Sequence, residues 1–248
     1  MIPESHPRYK SLVLRDKVKN AFLDGMLSDS GMIAHGRGEA FDYLIGEETS
    51  EAGFRAIDAA AVCLLLADYP VISVNGNTAA LVSEYIVELS SLLDCKIEIN
   101  LFYRTDTRVD LVEAKLRDAG ALDVLGTNSD DLEYLGGLDS PRATASSEGI
   151  YKADVVLVPL EDGDRGEVLV ENGKKVICID LNPLSRTSLM CDVSIVDNIV
   201  RALPLLIERI KYYKGKDVED LERIFSDFDN KENLELALDV IKSYSFKE

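Results

Sequence analysis

From residue 70 onward, short β-branched runs alternate with helical patterns, and several of those runs are apolar on both faces, as buried parallel strands are. These observations predict an α/β fold: a Rossmann-like, mostly parallel sheet flanked by helices, with an N-terminal helical segment and C-terminal helices. At 248 residues the chain is long enough for a substantial core. It reads as one domain over 1–248, with a helical segment over 1–69, an α/β core over 70–200 and C-terminal helices over 201–248.

The elements follow in order. A first helix covers about 12–26. Thr49 or Ser50 caps another, in which Phe54, Ile57, Ala61, Leu64 and Leu65 share one face at helical spacing. Strands are predicted at 71–74, 96–102, 155–158, 176–179 and 193–196, with a weaker sixth at 122–125. Helices near 78–93, 106–117 and 163–171 lie between them, and Ile199, Leu203, Leu206 and Ile210 form a further amphipathic stripe. Two helices, about 217–228 and 231–244, end the chain, the second starting at a capping box from Asp229 to Glu232. Residues 126–149, rich in Gly, Asn, Ser and Asp, form an irregular excursion.

A net charge of −18 argues against nucleic acid or an anionic membrane as the main partner. No basic-then-apolar leader is present and no apolar run approaches a membrane span, so the protein is expected to be cytoplasmic. Cys63, Cys95, Cys178 and Cys191 have neither Cys-x-x-Cys spacing nor a histidine nearby, which suits reduced, structural thiols.

Against so acidic a background, clustered cations stand out. Residues 30–46 gather His35, Arg37, Glu39 and Asp42 around four of the 16 glycines. Glycine allows close backbone approach and arginine offers a fork of donors for phosphate or carboxylate. The segment reads either as an anion-holding loop or as a tight turn with a solvated arginine. His35 is a candidate general acid or phosphate donor, or a plain hydrogen-bonded loop histidine.

The remaining candidates sit at predicted strand ends. Asn75-Gly76-Asn77-Thr78 can expose backbone N–H groups and start a helix, a setting that favours an anion. Arg104, after the second strand, can meet a substrate carboxylate or phosphate, or sit on the surface. Glu161, Asp162 and Asp164 crowd around Gly163, a pattern suited to Mg²⁺ or to an acidic first helical turn. Asp180 and Asn182 can bond a ribose or a base edge, Pro183 stiffens the loop, and Ser185, Arg186 and Thr187 can contact phosphate. Asn198 can cap the next helix or read a purine. Together the last two loops suggest a nucleotide site, which makes 70–200 a nucleotide-binding core. The phosphate-loop signature Gly-x-x-x-x-Gly-Lys-Ser/Thr is absent, and no Gly-x-Gly-x-x-Gly follows a strand, which disfavours a dinucleotide oxidoreductase.

Several stretches in register resemble one family, the archaeal phosphopantothenate synthetases, also called 4-phosphopantoate–β-alanine ligases. They are Ser5-His6-Pro7-Arg8-Tyr9 with Arg15, residues 33–46, Val74-Asn75-Gly76-Asn77, 98–104, 152–165, 179–186 and 195–202. The likeness runs to about residue 205; residues 119–148 and the last forty or so differ in character. It implies a homodimeric ligase of coenzyme A biosynthesis that joins (R)-4-phosphopantoate to β-alanine through a phosphopantoyl adenylate. ATP would become AMP and diphosphate, giving 4′-phosphopantothenate. Carried over by residue, Arg15, Arg37, Asp180, Leu181, Asn182, Arg186, Thr187, Asn198 and Ile199 would contact ATP, although the family varies at the position of Thr187. From residue chemistry, Arg37 and Arg186 are assigned to the ATP phosphates, Asp162 or Asp164 to Mg²⁺ or a proton, and Asn75 and Arg104 to phosphopantoate. A non-catalytic ATP-binding regulator is the alternative; a redox enzyme on the same kind of sheet is a third.

Overall fold

A computed structural model describes residues 2–130, 132–136 and 143–243. The N-terminal part is helical: α1 (Tyr9–Leu23), α2 (Asp29–Leu44) and α3 (Glu51–Leu66). Then β1 (Pro70–Val74), α4 (Gly76–Leu93), β2 (Lys96–Ile99), α5 (Asp106–Asp118) and β3 (Val124–Leu125) alternate. After a hairpin of β4 (Leu132–Tyr134) and β5 (Thr144–Ser146), the alternation resumes with β6 (Val155–Pro159), α6 (Gly163–Glu171), β7 (Lys175–Ile179), α7 (Arg186–Met190) and β8 (Val193–Ile195). Helices α8 (Ile199–Tyr213), α9 (Val218–Ser226) and α10 (Asn230–Ser243) follow.

The main sheet has the order β3-β2-β1-β6-β7-β8, with every neighbouring pair parallel. The chain starts in the middle at β1, runs outward to β3, then returns to β6 and builds the other half. The reversal leaves a crevice beyond the carboxyl ends of β1 and β6, the place where open parallel sheets bind ligands.

Strand periodicity divides the core between the two faces. Ile72, Leu157, Ile177 and Val193 pack with α3, α4, α5 and α8, while Val71, Val156, Val176 and Cys178 pack with Val168 and Leu169 of α6. On the second face β2 carries a fully buried Glu98 instead of an apolar residue. Its carboxylate accepts from the backbone N–H of Ser146 (3.1 Å) and Ile150 (2.6 Å) and from the Asn100 amide (3.2 Å). Burial pushes this carboxyl up, and those bonds pull it back.

The structure corrects three expectations. Residues 30–46 are not a loop but most of α2, capped by the Ser28 hydroxyl, which accepts from Gly31 N–H. Strand β2 stops at Ile99 rather than running to residue 102. There Gly126, at φ +71, presses against the strand end, so that a Cβ would lie 2.4 Å from the Ile99 carbonyl oxygen. The excursion over 126–149 contains the β4–β5 pair, although part of it lies outside the described residues. Elsewhere Ser50 caps α3, and the Asp229 carboxylate accepts from Glu232 N–H at the start of α10. The four cysteines are free thiols. Among the described residues no helix is long and apolar enough to cross a membrane.

Candidate active site

Beyond the carboxyl ends of β6, β7 and β8 lies a cavity of about 440 Å³, walled on one side by α2. Each wall follows from local sequence. Asn75, at the end of β1, caps α4 by accepting from Thr78 N–H (3.0 Å). Its amide also donates to the carbonyls of Pro159 (3.1 Å) and Leu160 (3.0 Å), tying β1 to β6 across the crevice. Leu160 is held at φ +55, in the left-handed region, where the chain turns away from the strand. Asp162 caps α6 by accepting from Arg165 N–H (3.1 Å). Gly163 follows with no side chain; a Cβ there would lie 2.6 Å from that of Arg186.

The loop after β7 is organised by its own polar groups. The Asp180 carboxylate accepts from Asn182 N–H (3.0 Å) and the Ser185 hydroxyl (2.6 Å), and Ser185 caps α7. Burial raises the Asp180 pKa, while these bonds and the Arg37 charge oppose the rise. Thr187 is buried, its hydroxyl donating to the Glu161 carbonyl (3.0 Å). Arg186 reaches out of the same loop to the carboxylates of Asp164 (2.7 Å) and Glu167 (2.8 Å).

Helix α2 supplies the opposite wall. His35, Arg37, Glu39 and Asp42 line the cavity, and Gly38 lets Leu181 approach. Glu39 is a hub for the mouth: Arg15 binds it through two nitrogens (2.9 and 2.8 Å), the Tyr43 hydroxyl donates to it (2.8 Å), and Arg8 is 3.3 Å away. Burial raises its pKa, but the bonds from Arg15 and Tyr43 win and leave it below the usual value. His35 lies below its ordinary 6.5, chiefly through burial; Glu39 opposes the shift and Arg15 assists it. The shift favours the neutral imidazole.

The structure thus brings together His35, Arg37, Asp162, Asp180, Leu181, Asn182, Arg186, Thr187, Asn198 and Ile199 around one cavity. Arg15 and Asp164 stand just behind it, paired with Glu39 and Arg186, and Asn75 buttresses its Leu160 wall. Arg104 stands elsewhere: its guanidinium donates to the carbonyls of Gly126 and Thr127 (both 2.9 Å) and lines a separate, smaller hollow. Among the described residues, no group of three or more His, Cys, Asp or Glu is arranged to hold a metal ion.

Sequence reasoning missed one buried network. Arg201, in the first turn of α8, bonds Asp197 and Asp42 (both 2.6 Å). Asp42 also accepts from the Asn198 amide (2.7 Å), while the Asn198 side-chain oxygen accepts from Val200 N–H (3.3 Å). The Asp197 carboxylate takes Thr49 Oγ1–H (2.6 Å) and Asn198 N–H (2.7 Å). The network locks the orientation of the Asn198 amide, because a carboxylate accepts only from its nitrogen. The i, i+4 spacing of Asp197 and Arg201 was a visible signal; the link to Asp42, 159 residues away, was not.

A family model described as phosphopantothenate/pantothenate synthetase matches residues 52–244. The chain is 51% identical to a 4-phosphopantoate–β-alanine ligase of Methanosarcina mazei, across 98% of this chain and 95% of that protein. It is 51% identical to one of Thermococcus kodakarensis (94% and 89% covered) and 53% identical to one of Methanospirillum hungatei (82% of each). With a model spanning most of its length and relatives this similar, the chain belongs to the phosphopantothenate/pantothenate synthetase family.

Proposed function

We propose that this protein is an ATP-dependent ligase that condenses 4-phosphopantoate with β-alanine to form 4′-phosphopantothenate, AMP and diphosphate, as a cytoplasmic homodimer. One observation carries the reading: in a member of this family, the loops after β6, β7 and β8 and one face of α2 converge on a single cavity. The relatives' names as ligases speak for catalysis over a non-catalytic regulator.

The chemistry needs two anions brought together: the carboxylate of phosphopantoate attacks the α-phosphorus of ATP and diphosphate leaves. Arg37 and Arg186, on opposite walls, are suited to hold the phosphates and neutralise the charge that develops, usually the largest catalytic contribution. Asp180, Leu181 and Asn182 would take the ribose, and Asn198 and Ile199 the base. Arg15 is clamped by Glu39, so a phosphate would have to compete with that carboxylate for it. In the second half, the amine of β-alanine attacks the acyl carbon and AMP departs. Asp162 lines the cavity and is the better placed of the two candidate acids to receive the amine proton; Asp164 instead orients Arg186. His35 would act as a neutral hydrogen-bonding partner.

The residues suit Mg²⁺ that arrives with the triphosphate rather than a cage built from protein ligands, since Glu161 and Asp162 line the wall beside Arg186. When bound, the ion would offset phosphate charge. Incubation with Mg-ATP, 4-phosphopantoate and β-alanine is expected to release AMP only when all three are present. Release of ADP would point to an acyl phosphate route, and no nucleotide turnover would end the proposal.

A further inference from the structure

The loop carrying Glu161 and Asp162 has a second hollow on its other side, at the carboxyl end of β2 and against the β4–β5 hairpin. Glu161 and Asp162 line both spaces and therefore stand at the junction between them. Two arginines, Arg104 and Arg165, line only the small one. Arg165 is almost wholly buried and fixed by bonds to the Thr144 carbonyl (2.9 Å) and the Asn100 side-chain oxygen (3.0 Å). Burial pushes both guanidiniums below their ordinary pKa, yet each stays charged. Charge is therefore graded: cations within the small hollow, carboxylates at its threshold with the main cavity.

Size narrows the occupant. The hollow measures about 30 Å³, and one water needs roughly 10–15 Å³ by the same kind of measure. It accepts a carboxylate but neither a nucleotide nor a phosphorylated branched acid. Resting on the ligase reading above, we propose that this hollow binds the carboxylate of the amine substrate, a short zwitterionic ω-amino acid, through Arg104 and Arg165. The ammonium end then lies at Glu161 and Asp162 and points into the cavity where the acyl group is activated. Arg104, expected from sequence to bind phosphopantoate, is thereby reassigned to β-alanine.

The test separates the two half-reactions. Exchange of labelled diphosphate into ATP, dependent on 4-phosphopantoate, involves no amine, whereas the complete reaction does. Arg104→Gln is expected to raise the KM for β-alanine at least about tenfold, a loss of about 1.4 kcal/mol, while exchange continues. Leu132→Trp, which fills the hollow without touching a charge, is expected to do the same. An unchanged KM for β-alanine in both variants overturns the proposal, as does loss of exchange in both. Absence of exchange in the wild-type protein would instead defeat the adenylate mechanism on which the proposal stands.

Discussion

Arg201→Met tests whether the buried network around Asn198 is held by charge. The substitution keeps an apolar stem and removes the cation that faces Asp197 and Asp42, whose side chains are 0% and 9% exposed. Breaking a buried ion pair by deleting one member costs about 3–5 kcal/mol, because the other charge remains in a poor solvent. At roughly 2–4 °C per kcal/mol for a chain of this size, the melting temperature should fall by about 6–20 °C. The loss should also depend on pH in a defined direction. Burial already raises Asp197 above its usual 3.8, and the Arg201 charge and bonds oppose that rise, so their removal raises it further. A carboxyl whose folded pKa lies above its unfolded one contributes stability that is complete below the unfolded value. That contribution is lost as pH climbs through the folded value. The deficit of the variant should therefore be small near pH 4 and grow toward pH 7. Urea midpoints measured across that range decide the matter. A loss below about 1 kcal/mol, or one independent of pH, would refute the account.

Other outcomes follow from the same geometry. Arg186→Ala should raise the KM for ATP about tenfold or more, yet cost less than about 1 kcal/mol of stability, since its ion pairs are exposed; normal ATP kinetics would remove it from the site. Proton NMR should show the His35 imidazole titrating below 6.5, its signal assigned by loss in His35→Gln, and a pKa above 6.5 would contradict its burial. Gly149→Ala would set a Cβ 2.1 Å from the Glu98 carboxylate, with an overpacking cost of about 1–3 kcal/mol; an unchanged urea midpoint would show that the excursion yields easily. Asn75→Ala loses a helix cap and two bonds to the end of β6, and calorimetry should register a loss of about 2 kcal/mol.

The six parallel strands and the helices between them, except the five-residue α7 over residues read as loop, could be read because their signals are local. β-Branched runs such as 155–158 and 176–179 are apolar on both faces wherever a strand is covered on both sides. The loops after β6, β7 and β8, which line one cavity, were singled out because open parallel sheets present crevices beyond their strand ends. Helix α2 was misread because three glycines within its span (Gly31, Gly36 and Gly38) each cost about 1 kcal/mol in a helix interior. The helix forms nonetheless, capped by Ser28, and Gly38 lets Leu181 pack close to it. That Arg104 lines the smaller hollow and not the main cavity was also hidden, because position after a strand does not reveal which side of the neighbouring loop the side chain enters. Strand order, the pairing of Arg201 with Asp42 and the division into two hollows had to await the folded chain. A periodic pattern records which face of an element is buried, whereas contacts between residues more than 150 positions apart depend on how the elements cross over and pack.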